Sequence, residues 1–339
     1  MNLTNFQPKR LLVTGGAGFL GSHFVDHWLS LADDHFVVVL DALTYAGDRT
    51  YLDHADAARM QFVHDNILHG DLVRQLLEDF KLDTIAHFAA ETHVDRSLSD
   101  PDIFITSNVL GTQRLLEAAR LAWAKKEPLA HRFHMVSTDE VYGELKPGNA
   151  AWKEGQPYAP NSPYSASKAA ADHLVRAYHR SFGLAVSWSH SCNAYGPRQY
   201  PEKLIPVALK CWLHDEPAPL YAGGHQIREW MYASDQADGV AKILRRGQAG
   251  RAYHLGGSKA CTNLELLRLL WQQFTAQRTT QLSFADAICS VEDRLGHDQA
   301  YGLDGSRAEH ELQFQPGVEL AEGLAKTVGW YLKRWDAPT

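Results

Sequence analysis

The chain has 339 residues, a formal net charge of -7 and 45% hydrophobic residues. This length is enough for one large or two smaller cores, and a mildly acidic, apolar-rich chain fits neither disorder nor a basic nucleic-acid-binding surface. The four cysteines are widely spaced and form no C-x-x-C, so neither a metal site nor a disulfide framework is predicted. The first ten residues lack the apolar core of a signal peptide, and no apolar stretch is long enough to span a membrane. We therefore expect a cytoplasmic protein whose partner is a small molecule.

The first half alternates short apolar runs with segments of helical spacing. The runs RLLVTGG, HFVVVLDAL, TIAHFAAE and FHMVSTDE are typical of buried parallel strands. Segments 21–31 and 108–122 place apolar residues three and four apart, as helices packed on a sheet do. After Ser187 the alternation loosens and Pro and Gly become frequent. We predict a doubly wound α/β domain over residues 1–188, to which 230–256 returns, and a smaller α/β substrate domain over 189–339.

A glycine-rich turn follows the first predicted strand. LLVTGGAGFLGS carries Gly15, Gly18 and Gly21 just before a helical segment. Such a turn lets the backbone approach a pyrophosphate, which the first amides of the helix then bind. Asp41 ends the next apolar run, where a carboxylate can bond both ribose hydroxyls and repel a 2′-phosphate. The pattern predicts a Rossmann fold that binds NAD rather than NADP; the alternative is a structural turn followed by a capping aspartate.

Tyr164 and Lys168 lie four residues apart in SPYSASKAAADHLV, on one face of a predicted helix. A nearby ammonium and an oxidised nicotinamide stabilise a phenolate, which can then deprotonate an alcohol. Alone, the pair equally fits a helix tyrosine beside an exposed lysine. Ser137 and Thr138, however, end the run FHMVST, where a hydroxyl can hold the same alcohol. Hydroxyl, phenol and lysine together predict hydride chemistry.

Two adjacent acids, Asp139 and Glu140, follow directly in STDEVYG. Alcohol oxidation alone requires neither of them. Once C4 of a sugar is a ketone, its C5 proton becomes acidic, so a carboxylate can remove it while a carboxylic acid protonates the departing C6 hydroxyl. The pair therefore predicts elimination of water, and the alternative is that it merely caps the next turn.

Several segments match a known family over almost the whole chain. They are VTGGAGFLGS, LDALTYAGD, HFAAETHVDRS, VSTDEVYGEL, SPYSASKAAADHLVRAY, NAYGPRQYPEKLIP, IREWMY and EDRLGHDQAY. In these segments the chain resembles the dTDP-glucose 4,6-dehydratases, which belong to the extended short-chain dehydrogenases/reductases of the NAD-dependent epimerase/dehydratase family. STDEVYG and YGPRQYPEKLIP are the most specific, because related epimerases and decarboxylases usually lack the Asp-Glu pair.

The resemblance implies a catalytic cycle. Tyr164 takes the C4 hydroxyl proton with the help of Thr138, and hydride passes to NAD. Glu140 then removes the C5 proton while Asp139 protonates the leaving C6 hydroxyl. Hydride returns to C6, Glu140 reprotonates C5, and Lys168 binds the nicotinamide ribose throughout. The implied product is a 4-keto-6-deoxy sugar nucleotide.

The resemblance also implies two sets of binding residues. The cofactor set, beside Tyr164 and Lys168, comprises Gly15, Gly18, Phe19, Leu20, Gly21, Asp41, Asn66, Ile67 and Ala89. The set for the nucleotide sugar comprises Thr92, His93, Asp95, Asn193, Glu202, Lys203, Leu204, Pro219, Tyr221, Arg228, Asn263, Arg294, His297 and Tyr301. Arg228 offers the fork geometry that suits a diphosphate, and Tyr221 can stack on a base, although a lone arginine is more often a surface charge.

Some positions depart from the family pattern. Ala194 replaces a second asparagine, Gln299 and Ala300 replace two arginines, Asn66 replaces an aspartate, and His190 stands where arginine is customary. We expect these positions near the nucleotide and substrate pocket, where they leave open a different base or sugar.

Three other functions are considered. A nucleotide-sugar 4-epimerase would use Thr138, Tyr164 and Lys168 but leave both acids idle. A 4,6- or 5,6-dehydratase acting on a UDP-sugar would use the same chemistry on another substrate, and a non-catalytic NAD-binding protein would turn over nothing. The apolar faces of segments 103–123 and 164–182 can pair across a two-fold axis into a four-helix bundle, as the resemblance suggests, so a homodimer is predicted.

Overall fold

The computed structural model describes residues 6–124, 130–146 and 148–335. Its strands are β1 (Arg10–Thr14), β2 (Phe36–Asp41), β3 (Met60–His64), β4 (Thr84–His87), β5 (Arg132–Thr138), β6 (Val186–Ser191), β7 (Asn193–Tyr195), β8 (Ala218–Tyr221), β9 (Ile227–Tyr232), β10 (Arg251–Leu255), β11 (Lys259–Thr262) and β12 (Ile288–Val291). Seven of these form one parallel sheet in the order β10-β6-β5-β4-β1-β2-β3. The strand order reverses between β1 and β4, and parallel sheets bind ligands beyond the carboxyl ends of the strands at such a point.

Helices cover both faces of this sheet. The α-helices of the described residues are α1 (Phe19–Leu31), α2 (Gly70–Asp79), α3 (Val94–Ser99), α4 (Pro101–Phe104), α5 (Gly111–Ala122), α6 (Pro163–Phe182), α7 (Leu204–Leu213), α8 (Ala233–Arg246), α9 (Asn263–Thr275), α10 (Ser306–Leu312) and α11 (Leu320–Trp335). Helices α1 and α8 pack together against one face, and α2, α5 and α6 cover the other. Because both faces are buried, the strands read as continuous apolar runs rather than as alternating ones. The predicted doubly wound α/β fold is confirmed.

The later part of the chain contributes to both units. Strand β10 extends the parallel sheet beside β6, and α8 packs on α1. The remaining elements form a smaller lobe in which sheets β11-β9-β7 and β12-β8 pack with α7, α9 and α11 around a core that includes Trp212, Trp271 and Phe274. The exact division at residues 188 and 189 stays a prediction.

A buried arginine begins the central strand β5. The guanidinium of Arg132 donates to the carbonyl oxygens of Gly247 at 2.7 Å and of Ile243 at 3.3 Å, at the end of α8. A cation is favourable at this end of a helix because the last carbonyl groups carry partial negative charge. Burial nevertheless lowers the pKa of Arg132 to about 10. The contact ties the start of β5 to a helix more than a hundred residues later in the chain.

Two negative findings concern the described residues alone. In 6–124, 130–146 and 148–335, no helix is both long and apolar enough to cross a membrane. The same residues contain no group of three His, Cys, Asp or Glu side chains placed to hold a metal ion.

The amino-terminal cap of α6 provides a test of the local fold. Ser162 accepts a hydrogen bond from the Ser165 backbone amide at 3.1 Å, and the Ser162 amide donates to the Ser165 hydroxyl at 3.0 Å. Ser162→Ala should lower the free energy of unfolding by about 1 kcal/mol, because the cap satisfies an otherwise unpaired amide. Denaturant unfolding measures this loss. Ser162→Asp keeps an acceptor and should retain most of the stability, so an equal loss in both variants would contradict the prediction.

Candidate active site

A deep cleft lies at the carboxyl ends of the parallel strands. Its volume is about 330 Å³, and the glycine turn, the ends of β2, β4 and β5, and the start of α6 line it. All the predicted cofactor residues border this cleft, as do all five predicted catalytic residues and the substrate residues Thr92, Asn193, Glu202 and Lys203. The structure thus brings together residues that lie up to almost two hundred positions apart.

The glycine turn packs too closely for any other residue type at two positions. A Cβ atom on Gly15, which has a φ of +70°, would lie 2.6 Å from the Ala89 amide nitrogen. A Cβ atom on Gly21 would lie 2.1 Å from the Gly15 carbonyl oxygen. Helix α1 then begins at Phe19 without a side-chain cap, so its first amides face the cleft free to bind an anion. These features fit the pyrophosphate of a dinucleotide.

Asp41 bonds two backbone amides and also borders the cleft, so its predicted contact with ribose stays a prediction. Its carboxylate accepts hydrogen bonds from the Ala17 amide at 2.9 Å and the Leu43 amide at 2.8 Å, and it borders the cleft. Burial raises the pKa of Asp41, while these two amides oppose the shift. Farther along the same side, Asn66 uses its side-chain oxygen to accept from the Leu68 amide at 3.0 Å. The carboxylate of Asp41 fits a ribose that lacks a 2′-phosphate, because it would repel that phosphate.

The acid pair stands where β5 ends and a 3₁₀ helix (Asp139–Tyr142) begins. Thr138 caps that turn, because its hydroxyl oxygen accepts from the Glu140 amide at 3.3 Å. The Thr138 hydroxyl also lies 3.2 Å from Asp139 Oδ1, whereas Oδ2 is buried without a hydrogen-bond partner among the described residues. Since Thr138 makes the cap, turn capping does not account for the two acids.

Burial raises the pKa of both acids above the values that the same groups have in water. It raises the pKa of Asp139 from 3.8 to about 8, with the neighbouring Glu140 as the second cause. Burial also raises the pKa of Glu140, which the positive charges of Arg294 and Arg228 oppose. Asp139 is therefore largely protonated near neutral pH, which suits a general acid, and the nearby arginines favour an ionised Glu140, which suits a general base.

Tyr164 and Lys168 border the cleft from α6. The Lys168 ammonium donates to the Val136 carbonyl oxygen at 2.7 Å, and burial lowers its pKa to about 8, opposed by the charge of Asp172. Burial and the charge of Glu140 raise the pKa of Tyr164, which a hydrogen bond with Thr138 partly offsets. The phenol therefore holds its proton in the protein alone. A cation bound beside it would favour the phenolate, as an oxidised nicotinamide does.

The ten other predicted substrate residues are not among the residues that line this cleft. His93 caps α3, Leu204 and Asn263 begin α7 and α9, Pro219 and Tyr221 lie in β8, and Arg228 lies in β9. Arg294 lies 3.5 Å from the tenth residue, Asp95, His297 lies 3.3 Å from the Gln226 side chain, and the Tyr301 ring lies under the Arg228 guanidinium.

Arg228 has contacts that the sequence did not indicate. Its guanidinium donates to the carbonyl oxygens of residues 227, 298 and 299 at 2.8 to 3.2 Å and lies over the Tyr301 ring. It therefore organises a loop while its positive charge acts on Glu140, and its predicted role in substrate binding stays a prediction.

Side chains join the two lobes across the cleft entrance. Asp95 accepts from the Tyr221 hydroxyl at 3.2 Å and lies 3.5 Å from the Arg294 guanidinium. Lys203 donates to the Thr92 carbonyl oxygen at 2.8 Å. The carboxylate of Asp95 therefore pairs with the Arg294 guanidinium, a group to which a phosphate is equally well suited.

Comparisons with known proteins agree with this site. The family model of GDP-mannose 4,6 dehydratase matches residues 12–327. The dTDP-glucose 4,6-dehydratase of Xanthomonas campestris pv. campestris strain B100 is 43% identical over 327 residues, which are 95% of this chain and 92% of that protein. The crystal structure of DesIV, a dTDP-glucose 4,6-dehydratase from Streptomyces venezuelae with NAD bound, has a TM-score of 0.88 at 44% identity and covers 97% of this chain and 99% of its own.

The chain belongs to the dTDP-glucose 4,6-dehydratase family. The predicted resemblance is thereby confirmed. A UDP-glucuronic acid 4-epimerase from Bacillus cereus, solved with NAD, also matches, with a TM-score of 0.85 at 27% identity over 96% of this chain and 99% of that one. The fold is therefore shared with epimerases, and the acid pair has to distinguish the reactions.

The departures from the family pattern fall in different places. Asn66 and Ala194 border the cleft. Gln299 and Ala300 lie in the loop that Arg228 holds, and the Ala300 carbonyl oxygen accepts from the Leu145 amide at 2.9 Å. His190 contradicts the expectation of a pocket position, because it is fully buried behind the catalytic helix, 3.0 Å from Asp172.

Some cleft residues were not identified from the sequence. Ser107, Tyr200 and Gln236 border the cleft, but they lie outside the motifs that carry the family pattern or, in the case of Tyr200, were not distinguished within one. Ser137 was expected to hold the substrate alcohol, yet its hydroxyl donates to Asp172 at 3.0 Å. The direction of a side chain at a strand end depends on the neighbouring helix, which the sequence pattern does not reveal.

The raised pKa of Asp139 predicts a pH-dependent cost in stability. Between the ordinary value of 3.8 and about 8, the unfolded chain releases a proton that the folded protein keeps, so wild-type stability falls as pH rises through this range. Asp139→Asn should therefore be more stable than wild type at about pH 7, by on the order of a few kcal/mol. The difference should shrink towards about pH 4.

Thermal unfolding across this pH range measures the effect. The exposed residue Asp33 provides the control, since Asp33→Asn should leave the pH dependence as in wild type. A constant difference between Asp139→Asn and wild type at all pH values would show that the carboxyl is not titrating as described.

Proposed function

We propose that this protein is an NAD-dependent hydro-lyase that converts dTDP-glucose to dTDP-4-keto-6-deoxyglucose. The observation that carries the proposal is the buried pair Asp139 and Glu140 beside Thr138, Tyr164 and Lys168 in one cleft. The family relatives are dTDP-glucose 4,6-dehydratases, and the related DesIV structure contains NAD and dTDP. The dehydratase reaction and the NAD cofactor predicted from the sequence are confirmed at the level of the family.

Each catalytic side chain has a role that follows from its position. Tyr164 accepts the C4 hydroxyl proton, and Thr138 holds that hydroxyl against the phenol. Lys168 supplies the positive charge that favours the phenolate. Bound NAD supplies hydride acceptance at C4 and hydride return at C6. Glu140 removes the C5 proton, and the protonated Asp139 gives its proton to the departing C6 hydroxyl, which leaves as water. Glu140 then returns the proton to C5 when C6 receives hydride.

The acid pair argues against a 4-epimerase. Epimerisation needs oxidation and re-reduction at C4, which Thr138, Tyr164 and Lys168 can assist, but it does not use two further acids. Keeping two carboxyl groups buried costs stability, as the raised pKa of Asp139 indicates. That cost has a chemical purpose if water is eliminated, and it has none in an epimerase or in a non-catalytic NAD-binding protein.

The nucleotide end of the substrate is assigned to the smaller lobe. Arg294 is the candidate for the diphosphate, because it already pairs with the carboxylate of Asp95. Tyr221 and His297, whose rings lie 6.1 Å apart, are candidates for the base. Substrate binding on this proposal replaces the contact between Asp95 and Arg294, with Asn193, Glu202 and Lys203 closer to the sugar.

Mass spectrometry tests the reaction and the substrate together. Purified protein is incubated separately with dTDP-glucose, UDP-glucose and UDP-N-acetylglucosamine. Loss of water from dTDP-glucose supports the proposal. Loss of water from a UDP-sugar alone would show that the substrate carries uracil instead of thymine. An unchanged mass with a changed C4 configuration would identify an epimerase.

The role of Glu140 gives a sharper prediction. Glu140→Gln removes the base for C5, so dehydration should fall by at least about a hundredfold, the usual contribution of a general base. Bound NAD should remain, because Glu140 does not hold the glycine turn. The assay follows water loss and exchange of the C5 hydrogen with deuterium from solvent. Glu78→Gln, on the exposed side of α2, is the matched control, and near wild-type water loss in Glu140→Gln would reject the assigned role.

Two further properties belong to the same proposal. The cytoplasm is the proposed compartment, which the four free cysteines support because disulfides are rare there. A homodimer is proposed through α4, α5 and α6. Four exposed apolar side chains support this proposal. Ile105 and Leu110 lie between α4 and α5, Leu121 lies in α5 and Phe182 ends α6, and exposed apolar patches commonly mark an interface.

The dimer prediction is tested by sedimentation. Wild type should sediment at about twice the 37.9 kDa mass of one chain. Ile105→Glu together with Leu121→Glu should shift the protein towards monomer, because each places a charge in the apolar patch. Leu31→Glu changes a similarly exposed leucine at the end of α1 and serves as the control. A wild-type mass equal to one chain would contradict the prediction.

A further inference from the structure

A buried polar cluster lies behind the catalytic helix. We call it the Asp172 cluster, and it comprises Ser137, Tyr142, Tyr158, Asp172, His190 and His254. The side chains of Asp172 and His190 are 1% and 0% exposed. Polar groups buried this deeply cost free energy unless they are paired, and a fixed network of them specifies one arrangement. The reaction as described above assigns no task to this cluster.

One carboxylate oxygen is at its centre. Asp172 Oδ2 accepts from the Ser137 hydroxyl at 3.0 Å and lies 3.0 Å from His190 Nε2. The Tyr158 hydroxyl lies 2.9 Å from the same imidazole nitrogen. Asp172 Oδ1 has no hydrogen-bond partner among the described residues. The carboxylate therefore has one crowded oxygen and one whose negative charge is not locally paired.

The cluster joins the catalytic side chains through strand β5. Asp172 follows Lys168 by one helical turn on α6, so both project from the same face. The Lys168 ammonium donates to Val136, and the next residue, Ser137, donates to Asp172. The charge of Asp172 raises the pKa of Lys168 against the effect of burial, and it also raises the pKa of Tyr164.

A single hydroxyl proton links two imidazoles of the cluster. The Tyr142 hydroxyl lies 2.8 Å from His254 Nε2 and 3.2 Å from His190 Nδ1. It has one proton to donate, so it can donate to only one of these two nitrogens. If it donates to His254, His190 Nδ1 must carry a proton of its own to make the second bond. That choice decides whether Nδ1 of His190 carries a proton, which is a choice of tautomer as long as Nε2 does not carry one as well.

Other ionisable groups surround the pair. Burial lowers the pKa of His87 to about 3, of His134 to about 3 and of His254 to about 2, so these imidazoles stay neutral near pH 7. The ionisable and charged groups around Asp172 lie on several elements. They are Lys168, Tyr164 and His173 on α6, His87 on β4, His134 on β5, Asp139, Glu140 and Tyr142 after β5, Glu154 and Tyr158 in the following loop, His190 on β6, His254 on β10 and Arg307 on α10.

We propose that Asp172 is a positioning residue for Lys168 and Tyr164 in alcohol oxidation, and that the side chain at position 190, 3.0 Å from its carboxylate, determines how much of the Asp172 charge they experience. A neutral side chain at position 190 leaves the negative charge of Asp172 acting on Lys168 and Tyr164, whereas a fixed cation at that position opposes it. The inference rests on the proposed function, since it assigns a task within the same reaction.

Replacing the carboxylate tests the first half of the proposal. In the NAD-loaded protein, the tyrosinate absorbance of Tyr164 is obtained by subtracting the signal of Tyr164→Phe in the same background. Asp172→Asn should lower the midpoint of this titration by about 1 pH unit, because a nearby anion no longer opposes the phenolate. The pH profile of kcat/KM for water loss should move in the same direction. Asp172→Glu should restore both, and an unchanged tyrosinate midpoint in Asp172→Asn would overturn the proposal.

Two substitutions at His190 test the second half and leave Asp172 in place. His190→Arg fixes a cation beside the carboxylate, and His190→Gln fixes a neutral amide. The Tyr164 midpoint should therefore lie lower in His190→Arg than in His190→Gln, whatever the charge of His190 in wild type. Equal midpoints would overturn this half. Tyr158→Phe is the control, because it removes a hydroxyl from the cluster without changing its charge.

These experiments separate the inference from the proposed function. Wild-type protein that removes no water from any sugar nucleotide tested contradicts the proposed function. The tyrosinate midpoints do not depend on turnover, so they decide the inference in either case.

Discussion

Burial of two adjacent carboxyl groups at the end of the central strand is the constraint on which the site depends. Asp139 and Glu140 stand where β5 ends, at the floor of a cleft formed by the parallel sheet and closed by the smaller lobe. Low polarity there makes Asp139 retain its proton, and the arginines of the smaller lobe favour the ionised form of Glu140. On the proposed function these two chemically similar side chains take opposite roles, and the charges that act on Glu140 support that division.

The same constraint explains why the site needs both parts of the chain. The sheet supplies the hydroxyl, phenol and lysine of alcohol oxidation. The smaller lobe supplies Arg228 and Arg294, whose charges oppose the effect of burial on Glu140. The fold is common to epimerases and dehydratases, as the similarity to a UDP-glucuronic acid 4-epimerase shows. Elimination of water depends on the carboxyl groups and on the charges that surround them.

Much of the fold and of the catalytic centre followed from local sequence patterns. Buried parallel strands are continuous apolar runs, and the glycine spacing, Asp41 and Y-x-x-x-K have fixed positions relative to strand ends. Long-range partners could not be read in this way. The sequence did not reveal that Ser137 faces Asp172, that Arg228 holds the loop at 298–299, or that His190 is buried, because each depends on which elements meet in space.

The buried Arg132 has a consequence for how the chain is made. Its guanidinium binds the carbonyl groups that end α8, and β10 then completes the edge of the sheet beside β6. During synthesis the first 188 residues leave the ribosome with this cation unmatched and with one edge of the sheet uncovered. The strand that carries the acid pair therefore gains the partners of Arg132 only after residue 247 has emerged. The two parts of the chain are distinct in structure, yet the first cannot complete its folding before much of the second has been synthesised.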